Sequence, residues 1–98
     1  MSIKTSIILC TYNEGPIIEE TINEIFKHIK NVEIILIDDN SSDGTFEKAK
    51  NINNSNLKIF SRKSRGLASA LLVGLINSSG NVVGWTDSNM PSLIKKIP

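Results

Sequence analysis

The stretch Val32-Glu33-Ile34-Ile35-Leu36-Ile37-Asp38-Asp39-Asn40-Ser41-Ser42-Asp43-Gly44-Thr45 decides the fold. Its first six residues are too few for a typical helix and too β-branched to prefer one, so they read as a central strand of a parallel sheet. Apolarity then stops at two adjacent acids. Asp38 and Asp39 therefore stand at the carboxyl end of a buried strand, where an open α/β sheet holds its ligand. The run Val82-Val83-Gly84-Trp85 ends the same way, in Thr86-Asp87-Ser88-Asn89. Two strand ends thus present carboxylate or amide oxygens on one rim.

The flanking segments supply the rest of the sheet and its cover. Residues 6–11 form a first strand, and Gly15-Pro16 opens a helix, since proline is tolerated in a first turn. Glu19 and Glu20 are expected to complement its positive start, while Ile17, Ile18, Ile22, Ile25, Phe26 and Ile29 keep helical spacing and face the sheet. A second helix is expected to begin near Ser42 or Asp43, with Phe46, Ala49 and Ile52 on its inner face. Residues 51–56 are a polar turn, and Leu57-Lys58-Ile59-Phe60 alternates as a third strand. A third helix, residues 66–77, carries Leu67, Ala70, Leu71, Gly74 and Leu75 on one stripe, with Gly80 as its stop and Trp85 in the core beyond it. The order β-α-β-α-β-α-β predicts right-handed crossovers and a mainly parallel sheet with helices on both faces.

Composition narrows the classes. At 98 residues the chain is one domain at most. A net charge of +1 gives no nucleic-acid footprint, and Arg62-Lys63-Ser64-Arg65 and Lys95-Lys96 read as solvated surface. Arg65 or Lys63 reaching a diphosphate is the less favoured reading. Cys10 is the single cysteine, which excludes an internal disulfide and fits a reducing compartment. No run approaches membrane-spanning length, and the start has no signal-peptide layout. His28 reads as a surface or helix-end residue.

Taken in order, T-Y-N-E at Thr11–Glu14, D-D-N-S-S-D-G-T at Asp38–Thr45, Gly66 with Ala70 and Gly74, and D-S-N at Asp87–Asn89 resemble the family 2 glycosyltransferases of the GT-A fold. Within them the pattern is most similar to polyprenyl-phosphate (dolichyl-phosphate) sugar transferases. The resemblance implies a nucleotide diphosphate sugar donor, transfer of a hexosyl group such as mannose or glucose, and a polyprenyl phosphate or glycan acceptor. It implies that Asp39 contacts the base, that Tyr12, Glu14 and the backbone of Cys10 and Ile37 line the base and ribose pocket, and that Asp87 and Ser88 complete the nucleotide site. Mg²⁺ or Mn²⁺ would be held by Asp87 and Asn89, neutralising the leaving diphosphate. Two departures stand out: Asn89 replaces the family's usual acid, and Met90-Pro91-Ser92-Leu93 replaces its common His-Pro-Pro stretch.

A complete transferase of this kind is about twice as long, so residues 1–98 are expected to be its nucleotide-sugar-binding portion, truncated after the fourth strand, with the catalytic base unidentified. The exposed sheet edge would then promote association. A cytoplasmic location, at the face of a membrane for a lipid acceptor, follows from the same resemblance. A noncatalytic nucleotide-binding or regulatory remnant is the alternative. A dinucleotide-dependent oxidoreductase would need a glycine-rich turn after strand one, which Thr11–Gly15 lacks. Structural roles also stand open: Asp38 serves equally as a turn cap, Asp43 as a helix-start residue and Glu14 as a partner of the helix dipole.

Overall fold

A computed structural model describes residues 4–63 and 66–87, apart from the side chains of Leu67 and Asp87. Ser88, Asn89, Arg65 and the segment 90–98 lie outside the described residues. The elements run β1 (Thr5–Thr11), α1 (Gly15–His28), β2 (Val32–Asp38), α2 (Thr45–Lys50), β3 (Leu57–Ser61), α3 (Leu67–Asn77) and β4 (Val82–Asp87).

All pairings are parallel, in the order β3-β2-β1-β4. Every residue of β2 is buried, the expected state of a strand covered on both faces. Strand alternation sends Ile7, Leu9, Ile34 and Leu36 to one side, where Ile18, Ile22, Ile25 and Ala49 of α1 and α2 cover them. Ile8, Ile35 and Ile37 face the other side, under Ala70 of α3. Each fully buried isoleucine contributes about 1.5–3 kcal/mol relative to an exposed one, so the α1 stripe alone fixes that helix on the sheet. Gly74 permits the approach of α3: a Cβ there would lie 2.5 Å from Cγ2 of Ile8.

Several expectations change. Glu19 and Glu20 fall beyond the first turn of α1, which carries no acid. Helix α2 starts at Thr45 behind Gly44 in the left-handed region, rather than at Ser42 or Asp43. Gly80 lies past the C-cap Ser78 and is a close-approach glycine, since a Cβ would meet Ser6 N at 2.7 Å and Lys4 O at 2.9 Å.

The stripe of α3 covers less than expected. Ala70 and Gly74 are buried, but Leu75 is half exposed, as are Leu72 and Trp85, and Ile76 is more exposed still. Trp85 is therefore not core. The physical reason is lateral: α3 packs over β1 and β2, and β4 has β1 on one side and no further strand on the other among the described residues. A shallow apolar groove lined by Ile8, Leu71, Leu75, Val83, Gly84 and Trp85 results.

Candidate functional site

Strand order places the topological switch between β1 and β4, because the chain moves from β1 outward to β2 and β3 and then returns to the opposite side of β1. Ligands of open α/β sheets bind outside the carboxyl ends of strands at such a point. The exits of β1, β2 and β4 therefore form the candidate rim. Asp87 ends β4 in register with Cys10 of β1.

Adjacent acids on a strand point to opposite faces, and this divides their work. Asp38 is 1% exposed; its Oδ1 accepts the Thr11 hydroxyl at 2.7 Å, and its Oδ2 accepts the Ser41 amide at 3.0 Å. Its lone pairs serve the turn, so the cap reading holds. Asp39 lies on the α3 side, its amide donating to Thr11 O at 3.0 Å. Its carboxylate meets Arg62, whose Nε donates to Oδ1 at 2.9 Å and whose Nη2 stands 2.8 Å from the same oxygen. Arg62 also reaches the start of α3, where Nη1 donates to Ser69 Oγ at 2.8 Å and Nη2 to Gly66 O at 3.1 Å.

Arg62 is the residue that sequence reasoning missed. It was expected to be solvated surface, yet its side chain is only 13% exposed. The correction has a simple origin: Arg62 N–H donates to Asp38 O at 2.8 Å, extending the β2–β3 pairing and bringing the guanidinium beside Asp39. An arginine one residue past a strand parallel to the acid-bearing strand is the signal that could have found it.

The two signature loops are locked together by their polar residues. Asn13, at φ 51°, receives the Ser42 amide on its Oδ1 at 2.8 Å, and its own amide donates to Ser41 Oγ at 2.8 Å. Asparagine tolerates this left-handed backbone, as at Asn40 with φ 58°. Asp43 Oδ2 accepts the first amide of α1, Gly15 N–H, at 3.0 Å, and Oδ1 accepts the Thr45 amide and hydroxyl. The Thr45 hydroxyl foremost, then the Gly15 and Thr45 amides, hold the Asp43 carboxyl below its ordinary range against the effect of burial. Asp43 thus serves the starts of both helices. Glu14 is buried at the N-cap of α1; its amide donates to Thr45 Oγ1 at 2.9 Å, and its Oε1 accepts the Tyr12 amide at 3.3 Å.

Tyr12 is 40% exposed at the exit of β1, an aromatic surface on which a planar base can pack. Cys10 is partly buried against the cluster of Ile8, Ile35 and Ile37, while Ile37 is fully buried by α3, so only its backbone can face a ligand. The structure brings Cys10, Tyr12, Glu14, Asp39 and the backbone of Asp87 to one rim; Ser88 and Asn89 lie outside the described residues. His28 ends α1 and pairs with Glu24 at 2.9 Å, as a helix-end residue should. Among the described residues, no helix is long and apolar enough to cross a membrane.

A second polar centre occupies the opposite rim. Glu33, inside the apolar run of β2, is 1% exposed and accepts the Ser6 hydroxyl at 2.5 Å and the Ser79 amide at 2.5 Å. Lys58 Nζ lies 3.2 Å and Lys4 Nζ 3.6 Å from its Oε1. This centre ties β2 to the entrances of β1 and β4. It lies at the end of the sheet where ligands do not bind.

A parallel sheet with this switch point, an aromatic residue and a strand-end carboxylate on its carboxyl rim has the Rossmann-like architecture of the GT-A type. The chain belongs to Glycosyl transferase family 2, whose model matches residues 6–89. It is 36% identical to the dolichol-phosphate mannosyltransferase of Pyrococcus furiosus, over 96% of this chain and 29% of that protein. It is 37% identical to the cholesterol galactosyltransferase of Borreliella burgdorferi, over 88% of this chain and 25% of that one. Among solved structures, the Pyrobaculum calidifontis mannosyltransferase PcManGT in complex with GDP-Man and Mn²⁺ superposes with a TM-score of 0.81 at 28% identity, covering 91% of this chain and 28% of that one. TarS of S. aureus in complex with UDP gives 0.79 at 29% identity, covering 89% and 28%. The chain therefore spans under a third of the length of these relatives.

Proposed function

We propose that residues 1–98 are the nucleotide-sugar-binding portion of a glycosyltransferase domain, taking a nucleotide diphosphate sugar at the carboxyl rim for hexosyl transfer to a polyprenyl phosphate. The observation that carries this reading is Asp39, a carboxylate fixed at the carboxyl end of β2 beside the β1/β4 switch point. Asp39 receives the base, Tyr12 packs against it, and Glu14 with the backbone of Cys10 and Ile37 shapes the ribose pocket. Asp87, with Ser88, meets the diphosphate. The lipid acceptor would place this work at the cytoplasmic face of a membrane.

A divalent cation fits this donor set. Asp87 is a hard oxygen donor at the switch point, and Mg²⁺ or Mn²⁺ needs only one or two protein ligands when phosphate oxygens and water complete the shell. Among the described residues, no group of three or more His, Cys, Asp and Glu forms a cage independent of a ligand. Asp87 and Asn89 would hold the ion, which when bound neutralises charge on the leaving diphosphate.

Calorimetric titration with UDP and GDP, with and without Mn²⁺, tests the assignment. Asp39→Ala is expected to weaken binding about ten-fold even without metal, because the lost bonds belong to the base. Asp87→Asn is expected to weaken only the Mn²⁺-dependent part. Unchanged affinity in Asp39→Ala removes Asp39 from the pocket.

A further inference from the structure

Resting on the reading that Asp39 receives the base, we propose that Arg62 is the positioning residue of the base site, acting on the nucleotide only through the Asp39 carboxylate, which it braces by one oxygen. Arg62 Nε donates to Asp39 Oδ1 at 2.9 Å. Nη2 stands 2.8 Å from the same oxygen and adds the attraction of an ion pair, while its own hydrogen bond goes to Gly66 O at 3.1 Å. Among the described residues, the side-chain contacts of Asp39 all fall on Oδ1, and Oδ2 carries none of them. Oδ2 is thus the acceptor left whole for a ligand N–H.

Asp39 needs such a brace. It lies one residue past the end of β2, and Asn40 behind it turns the backbone away at φ 58°. Its amide is tied to Thr11 O at 3.0 Å, but a backbone bond leaves the side-chain torsions free to change rotamer. Arg62 fixes them because its own ends are fixed: its amide donates to Asp38 O at 2.8 Å, and Nη1 donates to Ser69 Oγ at 2.8 Å. Ser69 Oγ in turn donates to Gly66 O at 3.1 Å, and the same carbonyl accepts the Ala70 amide, so the guanidinium is moored to the first turn of α3. A planar guanidinium holds its donors in one rigid fork, and that fork passes the mooring on to the carboxylate. Both side chains are only 13% exposed, which leaves little water to compete for the pair.

An acceptor ordered before the base arrives spares binding the cost of immobilising it, which for one side chain is about two- to ten-fold in affinity. Removing the brace therefore weakens only the part of binding that runs through Asp39. A residue that merely supports the fold behaves differently, because its loss lowers affinity whatever side chain stands at position 39.

A double-mutant cycle on the 98-residue chain tests this, by calorimetric titration with UDP and with GDP at saturating Mn²⁺, the tighter of the two serving for the comparison. Arg62→Met keeps the aliphatic stem and removes every donor. It is expected to weaken binding about five-fold with Asp39 in place, and to change nothing measurable once Asp39→Ala is present. Ser69 is exposed, and Ser69→Ala removes only the Nη1 mooring; it is expected to weaken binding about two- to three-fold, again only with Asp39 present. Should Arg62→Met fail to fold by circular dichroism, Ser69→Ala carries the test. Equal losses with and without Asp39 make the brace a structural support and overturn the proposal. Unchanged affinity in the folded variant with Asp39 present overturns it too. Where Asp39→Ala alone still weakens binding under either of those outcomes, the base-site reading stands and only the role of Arg62 is wrong. If Asp39→Ala changes no affinity, or neither nucleotide binds, the base-site reading falls and the proposal falls with it.

Discussion

Acid should unfold this chain through Glu33. Burial by itself would raise the carboxyl's pKa, but bonds from the Ser6 hydroxyl, the Ser79 amide, Lys58 and the Ser79 hydroxyl outweigh it and hold the value at about 2, below the ordinary 4.5. Because the folded value is the lower one, the stabilisation is complete above about pH 4.5 and is lost as pH falls toward 2. That difference corresponds to on the order of 3 kcal/mol. The Lys4 and Lys58 side chains are 37% and 42% exposed, so solvent weakens their share and the buried hydroxyl and amide bonds carry most of it. A domain of this size has a total of about 5–15 kcal/mol, which makes the loss a large fraction. The comparison to make is urea unfolding of the unaltered chain and Glu33→Gln, a variant of the same shape that cannot ionise. At pH 6 the variant should be less stable by about 3 kcal/mol, and the gap should close toward pH 2. Stability profiles that run parallel across that range would refute the reasoning, because other carboxylates such as Asp43 titrate equally in both proteins.

Gly80→Ala should destabilise by about 1–3 kcal/mol or more, since its Cβ meets backbone atoms of Ser6 and Lys4 that cannot rotate away; an unchanged melting temperature would contradict the close approach. Trp85, the only tryptophan, is 51% exposed, so dilute protein should show red-shifted emission quenched freely by acrylamide. Shielded emission would contradict that exposure. For the cation, Asn89→Asp should strengthen Mn²⁺-dependent nucleotide binding by adding a charge beside the metal, whereas without metal it should weaken binding by repelling the diphosphate. Weaker binding at saturating Mn²⁺ would exclude Asn89 from the metal shell.

Local chemistry made much of this fold readable. The Val/Ile run of β2, the isoleucine spacing of α1 and the abrupt change to acids at both strand ends each follow from short-range pattern, and the parallel order follows from their alternation. What escaped depends on neighbours distant in sequence. Glu33 sits in an apolar run, and only the sheet brings Ser6 and Ser79 to it. Arg62 pairs with Asp39 through strand alignment, and nothing beside it in sequence announces an acid. Trp85 and Leu75 have apolar side chains at correct spacing, but burial requires something lying over them, and α3 covers β1 and β2 instead. Gly80 follows a helix as a stop glycine would, and its actual constraint, the approach to β1, is visible only in three dimensions.

The central claim is that a nucleotide occupies the carboxyl rim at the β1/β4 switch point, and an amide NMR titration of the chain with UDP and Mn²⁺ tests it most directly. Shifts are predicted for residues 10–14, 38–41, Arg62, Gly66 and Asp87, with the Mn²⁺ ion broadening Asp87 most strongly, while Glu33, Ser79 and Gly80 at the opposite end stay unmoved. Shifts centred on the Glu33 end, or on the apolar groove between α3 and β4 with the carboxyl rim silent, would contradict it.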